Sequence, residues 1–182
     1  MNRHQLEHVL RAAADVAGDR HILVIGSQAI LGSGDEPELP VEATRSIEVD
    51  LAFFDDPDET KADAVDGAIG ELSKFHQTFG YYGQGVGLGT AVLPEGWRAR
   101  LIALATATAP EAVRFLEAHD CVVSKLVAFR QKDREFAEAL LLAGIVDRET
   151  LLGRVDQLPP SVSLMRRDAL IAWLRGRQGS RS

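Results

Sequence analysis

The feature that most constrains this 182-residue chain lies between residues 22 and 54. The apolar run Ile22-Leu23-Val24-Ile25 stops at Gly26-Ser27, and a second run follows as Ile47-Glu48-Val49-Asp50-Leu51-Ala52-Phe53. Four apolar residues ahead of a glycine predict a buried strand. Ser27-Gln28-Ala29-Ile30-Leu31 begins with a capping residue and continues with helix formers, so Gly26 marks a strand-to-helix turn. In the second run Ile47, Val49 and Leu51 face one way and Glu48 and Asp50 the other, because strand side chains alternate. Two carboxylates therefore project side by side. Unpaired buried charge is costly, and a divalent cation relieves it, since magnesium takes carboxylate oxygens. The bland alternative is a half-exposed edge strand whose polar face is acidic.

Composition narrows the class. With 46% hydrophobic and 26% charged residues the chain has an ordinary globular make-up, long enough for a sizeable core. No stretch approaches the ~18 apolar residues of a membrane span, and the N-terminal segment is polar and amphipathic, so a cytoplasmic location is the expectation. A single cysteine, Cys121, excludes a disulfide framework, and its valine neighbours predict a buried thiol. The net charge of −7 argues against general nucleic-acid affinity. Residues 151–182 nevertheless carry a local +4 against −11 in residues 1–150. Arg166-Arg167 and the Arg175/Arg177 pair are the cations there that RNA phosphates could meet.

Taken in order, residues 3–17 place Leu6, Val9, Leu10, Ala13 and Val16 at helical spacing, with Gly18 as the stop. His4 and His8 fall on its solvated face. After Ser27, residues 32–40 read as a loop. Asp58 is positioned to cap a helix running to about residue 73, and the acids of residues 55–59 are expected to be structural, near a helix N-terminus. Glycines 83, 85, 87 and 89 alternate, giving a strand face without side chains, which suits close packing or ligand approach. Residues 90–93 and 98–104 then predict a strand pair joined by Pro94-Glu95-Gly96, with Arg98 and Arg100 on one face, available to phosphate or to the acids. From about residue 112 the spacing is helical, with segments near 120–129, 132–143, 148–158 and 163–175; Asp120 is the expected first cap. The fold class is thus α/β (α+β), a small mixed sheet followed by a helical bundle, divided as residues 1–110 and 111–182.

Gly26-Ser27 with Glu48-x-Asp50 on the next strand resembles the polymerase β-like nucleotidyltransferase superfamily. His119-Asp120-Cys121-Val122-Val123-Ser124-Lys125-Leu126 and Arg130-Gln131-Lys132-Asp133-Arg134 extend the resemblance to bacterial AbiEii/MenT-like nucleotidyltransferases, toxins or suspected toxins of toxin–antitoxin and phage-defence systems. Leu93-Pro94-Glu95-Gly96-Trp97-Arg98 is similar to a branch of that group, and the matches span roughly residues 22–145. The resemblance implies a palm-type core in residues 1–110 and a helical region in 111–182 packed on it. Glu48 and Asp50 would be the metal ligands, for one or two magnesium ions. Gly26 and Ser27 would hold nucleotide phosphates, Lys125 the triphosphate, and Asp133 would be a late catalytic carboxylate beside Glu48, Asp50 and Lys125. Arg130 and Lys132 join the nucleotide-binding set, Lys132 because it shares the face of Lys125. Implied partners are a nucleoside triphosphate (ATP or CTP), a tRNA 3′-end or protein hydroxyl as acceptor, and a cognate antitoxin. On one unbroken helix Lys125 and Asp133 would stand about 80° apart, so a break near Gln131 is expected.

The family's first acid is usually Asp, where this chain has Glu48. The strand of residues 98–104 lacks a third acid, so either Asp133 or Asp120 substitutes, or the site works with fewer ligands. Two other classes compete: a non-catalytic module of the same fold, and a small-molecule nucleotidyltransferase of the antibiotic-modifying kind.

Overall fold

The computed structural model describes residues 1–34, 36–103 and 112–176, the Ala43 side chain excepted. Strands β1 (Ile22–Ile25), β2 (Glu48–Phe53), β3 (Tyr82–Gly85), β4 (Ile102–Ala103) and β5 (Arg114–Phe115) form one sheet in the order β3-β2-β1-β5-β4. β1 is central and buried along its whole length. It runs antiparallel to β2, with Ile25 opposite Asp50, and parallel to β5. β3 lies parallel to β2, with Glu48 opposite Tyr82 and Asp50 opposite Gln84. A parallel neighbour needs a crossover, supplied here by helices α3 (Thr60–Ile69) and α4 (Lys74–Phe79).

Helix α1 (Arg3–Ala17) starts at a reciprocal Asn2/Gln5 cap and stops at Gly18. Leu6, Val9, Leu10 and Ala13 are fully buried, whereas Val16 is exposed. His8 is not on a solvated face: its ring sits among Phe75, Phe79 and Tyr81, with Nδ1 2.8 Å from the Tyr81 hydroxyl. Ser27–Gly32 is a 3₁₀ helix, and α2 (Val41–Thr44) leads into β2. Ile47 lies outside β2 and is exposed, unlike Val49 and Leu51.

The helix expected over 58–73 is interrupted. α3 closes at Gly70, Leu72 takes a left-handed φ of 62°, and α4 restarts behind the cap residue Ser73. Asp56 rather than Asp58 receives the first backbone amides, those of Lys61 and Ala62 at 3.0 and 2.9 Å. Of the four alternating glycines only Gly83 and Gly85 lie in β3, and packing explains these two; Gly87 and Gly89 belong to the 3₁₀ turn that follows. An added Cβ at Gly83 would lie 2.6 Å from Val9 on α1, and one at Gly85 1.8 Å from the Ala62 carbonyl oxygen on α3. The helices rest on bare backbone.

The strand pair expected over 90–104 does not form. Leu88–Thr90 and Trp97–Arg100 are 3₁₀ turns, leaving only Ile102–Ala103 as strand, while Leu104 lies outside the described residues. The segment bonds outward instead: the Glu95 amide donates to Gln157 at 2.8 Å. Arg100 meets an acid, as one reading allowed, donating to Asp120 at 2.8 and 3.0 Å; Arg98 lies over the Trp97 and Phe54 rings. β5 also corrects the expectation of helix throughout, for its two residues close the sheet between β1 and β4.

Helices α5 (Ala118–Ala128), α6 (Gln131–Leu142), α7 (Arg148–Asp156) and α8 (Leu164–Gly176) follow. Glu117 caps α5, accepting from His119 and Asp120, and Asp147 caps α7. His119 bridges the two caps, 2.6 Å from Glu117 and 3.2 Å from Asp147. One apolar cluster runs from Met1 to Leu174 through sheet and helices alike. Among the described residues no helix is long and apolar enough to cross a membrane.

The contact between β3 and α3 gives a direct test. Gly85→Ala drives a Cβ into backbone that cannot yield, so a loss of roughly 1–3 kcal/mol is expected, about 2–12 °C in melting temperature. Gly89→Ala, where a Cβ meets nothing within 4 Å, should melt with wild type in the same thermal scan.

Candidate active site

The site begins at the Gly26 turn. Its φ of 68° lies in the left-handed region, and a Cβ there would fall 1.9 Å from Asp50 Oδ2. Both demands admit only glycine. The turn is fixed from behind by Cys121, whose thiol donates to the Gly26 carbonyl at 3.0 Å. That thiol is buried as expected, and burial pushes it up to about 12. Ser27 follows at once and opens the 3₁₀ helix whose residues Gln28, Ala29, Ile30 and Leu31 are buried.

β2 brings the two carboxylates to this turn. Val49 and Leu51 are fully buried on one strand face, and Glu48 and Asp50 stand half-buried on the other. Burial, then repulsion from Glu48, pushes the Asp50 carboxyl up to about 6, with Lys125 and Lys132 acting against the rise. Glu48 Oε2 accepts a hydrogen bond from the Tyr82 hydroxyl at 3.0 Å. Burial, and next that bond, hold the phenol well above its ordinary range, so it stays a donor.

The cations arrive from the junction of α5 and α6. Phe129 takes a left-handed φ of 56° and Arg130 is extended, so the two helices are separate, with the break one or two residues before Gln131. Asp133 is 1% exposed. Its carboxylate receives Arg130 Nε at 2.7 Å and stands 4.0 Å from Lys125 Nζ. The Lys125 ammonium lies over the Phe136 ring, 5.5 Å from its centroid. Lys125, Lys132 and Arg130 all lie within electrostatic reach of Asp50. The structure thus brings Gly26 against Asp50, sets Glu48 on the same face of β2, and joins Lys125 and Arg130 through Asp133.

Asp120 is elsewhere. It is fully buried and clamped between Arg100 and Arg154, whose Nε atoms lie 2.8 and 3.0 Å from its oxygens. It is neither the α5 cap nor a substitute third acid. Among the described residues no three His, Cys, Asp or Glu side chains form a metal-holding group, so the site offers a pair. Tyr82 escaped the sequence reading. Its signal is present: Tyr82 and Gln84 alternate with Gly83 and Gly85, on the strand face opposite the bare one.

The raised Asp50 carboxyl makes stability depend on pH. The folded chain holds this proton more tightly than the unfolded chain, so the site is least costly in acid, and stability is lost as pH rises through about 6. Asp50→Asn should therefore melt above wild type at pH 8 in metal-free buffer. The gain is roughly 1–3 kcal/mol, the partly open setting keeping it below the full shift. By pH 4 the two melting temperatures should converge.

Comparison with curated proteins and with solved structures returned no match. A family model does match, over residues 4–172, with the description nucleotidyltransferase of unknown function (DUF6036). That span takes in both carboxylates, the glycine turn and every cation of the site, and the mixed sheet with helices after it is compatible with such a fold. The chain belongs to this nucleotidyltransferase family.

Proposed function

We propose that the protein is a magnesium-dependent enzyme that moves a nucleotide from a nucleoside triphosphate to an acceptor hydroxyl. One observation carries this reading: Glu48 and Asp50 share a face of β2 beside a side-chain-free turn, with Lys125, Lys132 and Arg130 within electrostatic reach of Asp50. The donor set fits the ion. A repelling, half-buried carboxylate pair is relieved by a hard cation, and magnesium commonly takes one or two carboxylates and completes its shell with phosphate and water. When bound, it supplies positive charge against the phosphate oxygens. The residues of the chain do the rest. Amides and the hydroxyl of Gly26-Ser27 receive the β/γ-phosphates. Lys125 and Arg130 neutralise them, with Lys132 as a further cation. Asp133 acts through Arg130 and Lys125, which it orients. The acceptor oxygen attacks the α-phosphorus in line, its proton passes to water, and the bond to pyrophosphate breaks. Catalysis is positioning and charge stabilisation.

The AbiEii/MenT-like resemblance extends the proposal to a toxin with a cognate antitoxin, and to a tRNA 3′-end or a protein hydroxyl as acceptor. An RNA acceptor gains support from the cations beyond the site. Arg134 and Arg166 lie over the Phe129 ring at 4.9 and 5.5 Å, next to Arg130. Arg167 does not belong to that surface. Its guanidinium turns inward to the carbonyls of Val155, Asp156, Leu158, Pro159 and Val162, and Arg177 lies outside the described residues. A second reading, nucleotide binding without transfer, is favoured by the Asp120 clamp, which removes one of the two acids expected to complete the set.

The test is transfer of label from an α-labelled nucleoside triphosphate to tRNA in the presence of magnesium, with pyrophosphate release read in parallel. Asp50→Ala should lose transfer by a factor of about 100 or more while staying folded. Full activity in that variant would end the carboxylate reading, and binding with no pyrophosphate from wild type would favour the non-catalytic one. Lys125→Ala should weaken triphosphate binding roughly tenfold and monophosphate binding far less. Equal losses would move Lys125 away from the β/γ-phosphates and promote Lys132.

A further inference from the structure

The geometry points to Tyr82 as a positioning residue that holds the Glu48 carboxylate in place to receive the cation. This rests on reading Glu48 and Asp50 as a cation site, and adds a residue to it from a third strand.

Glu48 has three side-chain torsions and stands at the first position of β2. Left alone it could swing from Asp50, and repulsion between the two carboxylates favours that departure. Tyr82 opposes it. The two residues are register partners across parallel strands, and the hydroxyl reaches Oε2 at 3.0 Å. The ring is 6% exposed, so the donor has little freedom of its own. It is braced in turn by His76, whose ring lies 4.6 Å from it, centroid to centroid. The His76 imidazole is oriented through Nδ1, which accepts the Leu72 amide at 3.1 Å. Leu72 is the residue with the left-handed φ between α3 and α4. A chain of contacts thus runs from the α3–α4 turn through His76 and Tyr82 to Glu48. Engaging one oxygen from the side leaves the other for the ion, and such outer partners of metal-binding carboxylates typically change affinity 10–100-fold.

The experiment titrates metal-free wild-type, Tyr82→Phe and Asp50→Asn proteins with Mn²⁺ alone, following the free ion by electron paramagnetic resonance. Tyr82→Phe removes only the hydroxyl. It should bind Mn²⁺ about 10-fold more weakly at an unchanged melting temperature, and Asp50→Asn should lose binding. Equal affinity in wild type and Tyr82→Phe would overturn the role of Tyr82 and leave the carboxylate pair standing. No Mn²⁺ uptake by wild type, or undiminished uptake by Asp50→Asn, would overturn the site and this inference with it. A second measurement does not depend on how Tyr82→Phe folds. The chain has two tyrosines, so ¹³Cζ-tyrosine labelling in a Tyr81→Phe background leaves the Tyr82 signal alone. Saturating Mg²⁺ should shift it, because the acceptor of its hydrogen bond changes charge environment; an unmoved signal would overturn the inference.

Discussion

Asp50 occupies the space that a side chain at position 26 would need, and the arrangement of the site follows from that single exclusion. The missing Cβ lets a carboxylate press against the exit of the central strand. The same backbone turns into the 3₁₀ helix through a left-handed glycine, and Cys121 grips its carbonyl from α5. Sheet and helices therefore meet at one peptide. The acid so placed is half-buried beside a second acid, and burial first, then the neighbouring Glu48, raises its affinity for protons. Local strain of this sort is what a folded scaffold can sustain when a ligand is expected to relieve it.

The basic residues divide into two populations that look the same in the sequence. Arg100 and Arg154 enclose Asp120, and Arg167 closes the end of α7 by donating to carbonyls. These are internal fasteners. Lys125, Arg130 and Lys132, at the α5–α6 junction, instead lie within electrostatic reach of Asp50. Asp133 keeps Arg130 and Lys125 in register at that junction. Under the proposed function, an anion entering there would meet Lys125 and Arg130 already held by Asp133, the condition under which such charges stabilise a reaction without reorganising.

Much of the candidate site's local structure was legible in the sequence because it is local. Ile22–Ile25, the glycine after it and the Glu48/Asp50 alternation each declare themselves within a few residues, and the break between Lys125 and Asp133 was expected from the family resemblance that sets both at one site. What stayed hidden is non-local. Nothing near Tyr82 announces that it faces Glu48, since the register of a parallel pair is set by a crossover of some thirty residues. β5 has two residues, too few for any period. The strand pair expected over 90–104 failed because Glu95 and Arg100 find partners in α7's end and in Asp120. Asp120 itself has a cap's position in sequence and an ion clamp's surroundings in space.

Segment 82–85 carries a further consequence, for how this protein can vary. Gly83 and Gly85 are limited by volume, each pressed against a helix, and Gly85 against backbone. Tyr82 and Gln84 are limited by chemistry, one bonded to Glu48 and the other to Asp66 of α3. The two faces alternate, so no position among the four is free to drift. Change in this strand has to be concerted: enlarging a glycine means moving α3, and moving α3 means re-seating Gln84 next to the acid pair. An edge strand, ordinarily the most permissive part of a sheet, is here a place where substitutions are coupled.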